Sequence, residues 1–202
     1  MTDNAAVSTA ASVIAVDTAA PSQAAVEHLV HEIDRSLDGL LPEEYVVSTH
    51  IARAPAAHHV VVIGGPVDRA AVVERLLASL EGLTEVGSDA DAVLLATDAA
   101  LVDAARDAAA EHRSRRSGRL ARYPGRVAIE GRVTTAEVLA RSGVDAIEGL
   151  AGTTVTPDAV LDLTGFARPT WRDGRCTLLV QRGRDALVPF EMRDQIPCCS
   201  AH

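Results

Sequence analysis

The chain contains no lysine, and all 19 of its basic residues are arginine. This absence excludes sites that depend on a lysine amine, namely a Schiff base, a pyridoxal-phosphate linkage and a nucleotide-binding P-loop. Aromatic residues are also scarce, at 2% of the chain, whereas 48% of the 202 residues are hydrophobic. We therefore expect one domain with a sizeable core of alanine, valine, leucine and isoleucine.

The chain also has few cysteines and no long apolar segments. The chain has three cysteines, an odd number that does not match the pattern of a disulfide framework. No run approaches the roughly 20 apolar residues of a membrane-spanning helix. The first residues also lack the basic segment of a secretory signal peptide. The composition therefore predicts a cytoplasmic protein without membrane attachment.

The charge balance and the missing motifs narrow the function classes. A net charge of −9 and a pI near 5.2 argue against binding to nucleic acid. The sequence also lacks the GxSxG, HExxH and GxGxxG motifs of common enzyme classes. Catalytic groups can come together from distant positions, so the absence of these motifs leaves open whether the chain is an enzyme.

The clearest local pattern covers residues 59–80, HVVVIGGPVDRAAVVERLLASL. Its β-branched run Val60–Ile63 is typical of a strand that is buried on both faces. Gly64 and Gly65 end this strand, and apolar residues at helical spacing follow. Such a turn can hold a ligand or an anion on the free N–H groups of the helix start. Gly64 and Gly65 are therefore candidate ligand-binding residues, and an ordinary strand–helix turn is the alternative.

Alternating strand and helix patterns predict the fold class. Ser22 can cap an amphipathic helix, and Val93–Ala96 is a second apolar strand, which we expect to lie parallel to Val60–Ile63 as its neighbour. The β, α, β, α order predicts an α/β fold with a three-layer parallel or mixed sheet flanked by helices. From about residue 155 to 191, short extended segments and an Asp173–Gly174 turn predict a C-terminal antiparallel β-meander.

The same patterns divide the chain into three parts. Residues 1–21 are rich in alanine, serine and threonine without a period, and we expect them to form a disordered tail. Residues 22–192 are predicted to form a single α/β domain that includes the meander. Residues 193–202 form a cysteine-containing tail.

An arginine run is the strongest anomaly in the sequence. Residues 113–126 contain six arginines and no acidic residue. The guanidinium group suits phosphates and carboxylates, so we predict an arginine-rich loop that binds an acidic protein or a small anion. The alternative is a solvated loop that pairs with the protein's own acids. The candidate binding residues in this run are Arg113, Arg115, Arg116, Arg119 and Arg122, with Arg126 completing the six.

The C-terminal tail carries a second candidate site. Cys198, Cys199 and His202 form a CCxxH pattern whose thiolates and imidazole could bind zinc or copper, with Cys176 as a fourth ligand. Adjacent cysteines point apart in an extended chain, however, and this spacing differs from the CxxC of common zinc sites. The alternative is a tail with ordinary thiols.

Three functional hypotheses follow from these observations. The first is a non-enzymatic binding or accessory protein that recognises an acidic partner or a small anion. The second is a metal- or thiol-dependent protein that uses the CCxxH pattern. The third is an enzyme with a scattered site at the carboxyl ends of the strands, near Ile63–Pro66 and Ala96–Asp98.

Overall fold

The structure, a computed structural model, describes residues 12–191 of the chain. This part contains four α-helices and twelve strands. The helices are α1 Gln23–Ser36, α2 Arg69–Ser79, α3 Val102–Ser114 and α4 Thr135–Arg141. The strands are β1 Ser12–Ala20, β2 Val46–Ala52, β3 His58–Gly65, β4 Thr84–Ser88, β5 Ala92–Ala96, β6 Arg119–Arg122, β7 Arg132–Thr134, β8 Ala146–Gly149, β9 Val160–Asp162, β10 Thr170–Arg172, β11 Arg175–Arg182 and β12 Leu187–Pro189.

All these strands belong to one mixed sheet, so the predicted α/β class is confirmed. The strand order is β4-β5-β1-β3-β2-β6-β10-β11-β12-β9-β7, and β8 lies alongside β11. At the centre, β1 is parallel to β5 and antiparallel to β3, which in turn is antiparallel to β2. None of the helices within residues 12–191 combines the length and the hydrophobicity that a membrane span requires.

The position of β1 corrects two predictions. Residues 12–20 were expected to lie in a disordered tail, but they form a central strand in which Val13–Val16 is almost completely buried. Because β1 lies between β3 and β5, Val60–Ile63 and Val93–Ala96 are neither neighbours nor parallel. The prediction failed because the short VIAV segment of β1 is too brief to show a period, and its burial comes from its two partner strands.

Alternate residues of the central strands pack on opposite faces of the sheet. One face packs against α1 and α2 through a cluster that includes Ile14, Val16, Val26, Val30, Ile33, Val61, Ile63, Val72, Leu76 and Leu95. The other face packs against α3 through Val13, Ala15, Val60, Val62, Ala92, Leu94, Ala105, Ala108 and Ala109. This double burial explains why the strand sequences are apolar without a break.

The C-terminal half combines antiparallel and parallel pairs around its own core. The predicted turn at Asp173–Gly174 joins β10 to β11, and Arg172 of β10 pairs with Arg175 of β11. β12 is antiparallel to β11. β8 lies parallel to β11, and β9 lies parallel to β12. A separate apolar cluster that contains Leu120, Trp171 and Leu178 packs beneath these strands.

Candidate functional site

The Gly64–Gly65 turn has a packing role in the structure. The helix that follows starts at Arg69, and the Asp68 side chain accepts a hydrogen bond from the N–H of Ala71 at 3.1 Å. A carboxylate therefore already lies at this positive helix end, where an anion was expected to bind. Gly64 lies against the Nε2 edge of the His112 imidazole from α3, so close that a Cβ at this position would be 2.1 Å from that nitrogen.

Replacing Gly64 with alanine is expected to destabilise the protein by about 1–3 kcal/mol, because the added methyl group overlaps the ring of His112. The ring cannot move away easily, since Ser48 and Trp171 hold it in place. The double variant Gly64→Ala, His112→Ala should lose less stability than the two single changes together. Urea unfolding of the four proteins measures this coupling, and strictly additive losses would contradict the overlap.

The arginine run is ordered, which corrects the prediction of a loop. α3 extends through Ser114, and Arg115 ends it in the left-handed conformation with φ of 50°. The chain then enters β6 at Arg119, which pairs with β2 and β10. A change of period from helix to strand within a few residues leaves no clear pattern in the sequence, so it resembled a loop.

Two arginines of the run pair with the protein's own acids. Arg119 forms ion pairs with Glu27 of α1 and with Glu191. Arg122 pairs with Asp34, which also lies on α1. Arg168 also contacts Glu27, at 2.9 Å. Burial would raise the pKa of Glu27, but Arg168 and Arg119 hold it at about 2. Arg119, bound to Glu27, and Arg122, bound to Asp34, are therefore both engaged within the fold.

Three other arginines of the run remain exposed at the end of α3. Arg113 and Arg116 form no ion pair with any acid in the described part of the chain, and the Arg115 guanidinium lies 6.0 Å from the centre of the Trp171 ring. The loop after α3 is bound to the β10–β11 hairpin, because the N–H of Gly174 donates to the carbonyl of Arg115 at 3.0 Å. Local sequence patterns could not show this contact.

The hairpin adds two arginines that the sequence did not single out. Arg172 and Arg175 face each other across the turn and are exposed. Arg172 pairs with Glu148 at 2.8 Å, and Arg175 donates weakly to the carbonyl of Asp145 at 3.5 Å. We call Arg113, Arg115, Arg116, Arg172 and Arg175 the arginine surface.

A buried polar network lies between α3 and β2, and the sequence did not indicate it. The Ser48 hydroxyl is 2.8 Å from Nε2 of His50 and 2.7 Å from Nδ1 of His112. Glu111 accepts from Nδ1 of His50 at 3.1 Å and from the Ser117 hydroxyl at 2.6 Å. One proton arrangement satisfies every bond: His112 donates to Ser48, Ser48 to His50, and His50 to Glu111.

Burial keeps the two imidazoles of this network neutral. Burial lowers the pKa of His112 to about 3, with smaller contributions from the charges of His50, Arg115 and Arg113. Burial also lowers the pKa of His50, although Glu111 opposes this shift. At neutral pH these rings therefore carry no charge: His112 donates to Ser48, whereas His50 accepts from Ser48 and donates to Glu111.

The order of carboxylate, imidazole and hydroxyl matches that of a serine nucleophile with its base, but the geometry does not allow that chemistry. Ser48 is 0% exposed, and imidazoles lie against its oxygen on both sides. A nucleophile needs access to substrate. The network therefore stabilises the contact of α3 with the sheet.

A second buried pair joins β1 to β3. His58 Nε2 lies 2.9 Å from the Asp17 carboxylate, and its Nδ1 donates to the carbonyl of Ala56 at 2.7 Å. Burial alone would lower the pKa of His58, but these two acceptors outweigh it and raise the pKa. His58 therefore favours its charged form next to Asp17, and the pair is a structural ion pair inside the sheet.

Among the grooves on the surface of residues 12–191, two lie beside helices. One, of about 450 Å³, lies between residues 50–55 and the side of α3 that carries Asp103, Asp107 and Glu111. The other, of about 540 Å³, is mostly apolar and lies between α4 and residues 155–157. Neither contains a residue that the sequence singled out for binding.

The predicted metal site falls outside the described residues, since Cys198, Cys199 and His202 follow residue 191. Cys176 is buried in the C-terminal apolar cluster, and burial, with a contribution from Asp145, raises the pKa of its thiol to about 12. Among residues 12–191, no group of three histidine, cysteine or acidic side chains is placed to hold a metal ion.

The scattered enzyme site also changes in the structure. Ile63–Pro66 covers the end of β3, Ala96–Asp98 starts at the last residue of β5, and the two strands run in opposite directions. The two segments therefore lie at opposite ends of the sheet and cannot form one site. Comparison of the chain with models of protein families, with curated proteins and with solved structures finds no match.

Proposed function

We propose that this protein is a non-enzymatic binding or accessory protein whose arginine surface recognises an acidic protein partner or a small anion. The observation that supports this most directly is the different placement of the run's arginines. The side chains of Arg119 and Arg122 are mostly buried in ion pairs, whereas Arg113, Arg115 and Arg116 are exposed. Arg113 and Arg116 have no ion-pair partner within residues 12–191. Exposed guanidinium groups are well suited to carboxylates and phosphates.

The backbone beneath these arginines is held in place, which favours binding. At the end of α3, the N–H of Arg115 donates to the backbone carbonyl of His112 at 3.1 Å. The backbone N–H of Trp171 donates to the carbonyl of Gly118 at 2.8 Å. The hairpin and the end of the helix therefore form one surface. A surface that is already ordered loses less conformational entropy when a ligand binds.

The wider assignment is part of the same proposal. We take the strands around β1, with α1 and α2 on one face and α3 on the other, as a three-layer unit, and β10–β12 as an antiparallel C-terminal meander. We also propose that the protein acts in the cytoplasm and does not bind nucleic acid. The net charge of −9 supports this last point, because it repels a polyanion beyond the arginine surface.

Replacing Arg113, Arg115 and Arg116 with glutamine is expected to abolish binding to polyglutamate or tripolyphosphate and to leave the melting temperature nearly unchanged. Exposed charged pairs contribute only about 0–1 kcal/mol to stability. Binding by the parent protein should weaken as salt rises, since exposed charges are screened beyond about 8–10 Å at physiological ionic strength. Fluorescence titration over a salt series measures both effects.

A matched control replaces Arg35, Arg75 and Arg184, which are exposed elsewhere, with glutamine. This triple variant changes the net charge equally, and we expect it to bind like the parent. An equal loss of binding in both triple variants would show that binding depends only on the net charge of the protein. Absence of salt-sensitive binding by the parent would rule out the arginine surface as the site.

A further inference from the structure

The short helix α4 buries one side and leaves an apolar side exposed. Thr135 and Val138 are buried against the core. Ala136, Leu139 and Ala140 project away from them and are exposed, with 43% of the surface of Leu139 accessible. We call these three residues the apolar side of α4. A helix on the surface of a globular protein usually has polar residues opposite its buried side, so this side has the composition of a contact surface.

The groove of about 540 Å³ extends the apolar side of α4. Its facing wall is formed by Ile147 of β8 and by residues 155–157. Two more large apolar side chains are exposed next to α4. Val127, 78% exposed, starts a short helical turn that contacts α4. Val160, 39% exposed, pairs with Thr134 directly before the helix. Apolar surface gathered in one place usually marks a site that another molecule covers.

Glu137 and Arg141 lie along one border of the apolar side. They are about one helical turn apart, and about half of each side chain is exposed, 48% for Glu137 and 50% for Arg141. Within the chain their nearest charged atoms are 4.0 Å apart, and an exposed pair of this kind contributes little to stability. One oxygen of Glu137 also accepts from the N–H of Thr134 at the start of α4. The carboxylate and the guanidinium group are therefore both accessible to charges on another molecule.

This charged border is complementary to itself when the helix direction is reversed. If two copies of α4 pack antiparallel about a two-fold axis near Leu139, each position before residue 139 faces the matching position after it. Glu137 of each copy then faces the partner's Arg141, so both charged contacts are favourable. Ala136 and Ala140, near the axis, allow the helix backbones to approach closely. Leu139 of each copy lies toward the partner's groove.

We propose that the apolar side of α4 and the adjoining groove form the interface of a homodimer, in which two copies of α4 pack antiparallel across a two-fold axis. The self-complementary charged border favours a second copy of this chain over an unrelated partner. The seven residues of α4 span about 10 Å, so the contact is smaller than a standard protein interface. We therefore expect a weak dimer with a dissociation constant of about 1–100 μM. None of these residues belongs to the arginine surface, so the dimer does not depend on the proposed binding function.

Sedimentation velocity of the full chain over about 1–500 μM protein tests for the dimer. We expect the parent's sedimentation coefficient to rise with concentration from that of a monomer toward that of a dimer. Leu139→Asp, which places a charge in the apolar contact, should weaken dimerisation at least about tenfold. The matched control is Leu77→Asp, since Leu77 on α2 is similarly exposed, at 37%, and this variant should dimerise like the parent. A parent that stays monomeric, or equal dimerisation of the two variants, would overturn the proposal.

A charge exchange tests the antiparallel arrangement. In Arg141→Glu two acids face each other on both sides of the axis, and in Glu137→Arg two arginines do, so each variant alone should dimerise at least about fivefold more weakly than the parent. An equal mixture of the two variants should form heterodimers about as well as the parent forms dimers, because every facing pair again has opposite charges. Arg141→Glu leaves the bond between Glu137 and Thr134 intact, so it tests the charged contact even if Glu137→Arg does not fold. Dimerisation of Arg141→Glu equal to the parent's, or a mixture no more dimeric than its folded components, would refute this arrangement.

Discussion

Replacing Asp17 with alanine is expected to destabilise the protein by about 3–5 kcal/mol, because it leaves His58 buried without its carboxylate partner. Asp17 is 0% exposed and His58 is 4% exposed. The same carboxylate also accepts a hydrogen bond from the N–H of Ala19 at 2.9 Å, where β1 departs from regular pairing with β3. Both interactions are lost together, and water cannot readily replace them at this depth.

Urea unfolding measures this loss as a lower midpoint with an unchanged slope. The control is Asp103→Ala, which removes the exposed ion pair with Arg106 and should change stability by no more than about 1 kcal/mol. The double variant Asp17→Ala, His58→Ala should lose less than the two single variants together, since it leaves no unpaired charge. Exposed ion pairs contribute at most about 1 kcal/mol, whereas loss of one partner of a buried pair costs more. An unfolding free energy of Asp17→Ala within about 1 kcal/mol of the parent's would therefore contradict the buried-pair interpretation.

Acidification should destabilise the protein before its carboxylates titrate. The pKa of His112 falls from 6.5 to about 3 on folding, so below pH 6.5 the unfolded chain binds a proton that the folded chain does not. Stability therefore falls as the pH falls, by about 2 kcal/mol between pH 6.5 and about 4.5 from this group. His50, whose pKa is also lowered, adds to the loss.

Burial, with the charges of Arg119 and His58, also lowers the pKa of the half-buried His59, which therefore adds to the loss in this range. His58 and Glu27 act outside it. The pKa of His58 is raised, so its stabilising contribution is complete below pH 6.5 and is lost only as the pH rises above that value. Glu27, whose pKa is lowered from 4.5 to about 2, affects stability mainly below pH 4.5. The loss between pH 6.5 and about 4.5 therefore reports His112 and His50, with a contribution from His59.

The variant His112→Asn tests this assignment, because asparagine can keep a hydrogen bond to Ser48 but does not titrate. We expect its unfolding free energy to depend less on pH across this range, whatever its stability at neutral pH. Replacement of the exposed His28, which pairs with Glu32 on the surface of α1, serves as the control and should preserve the parent's pH dependence. An identical slope in the parent and in His112→Asn would exclude His112 as the source.

Local patterns in the sequence were enough to predict several elements. The buried strand at Val60–Ile63, the Ser22 cap of α1 and the hairpin turn at Asp173–Gly174 all appear in the structure. Each of these depends on residues that are close together in the chain: an apolar run, a side chain that reaches a nearby N–H, or a turn that needs positive φ. The α/β class follows from the order of such elements.

Tertiary structure alone decided which arginines stay exposed and which histidines meet. Arg119 and Glu27 are 92 residues apart, and Ser48 and His112 are 64 residues apart. No local period indicates such pairs, because they arise only when β1 enters the centre of the sheet and α1 and α3 cover its opposite faces. Composition and periodicity report whether a residue tends to be buried, whereas the partner of a charged or polar group depends on strand order and register.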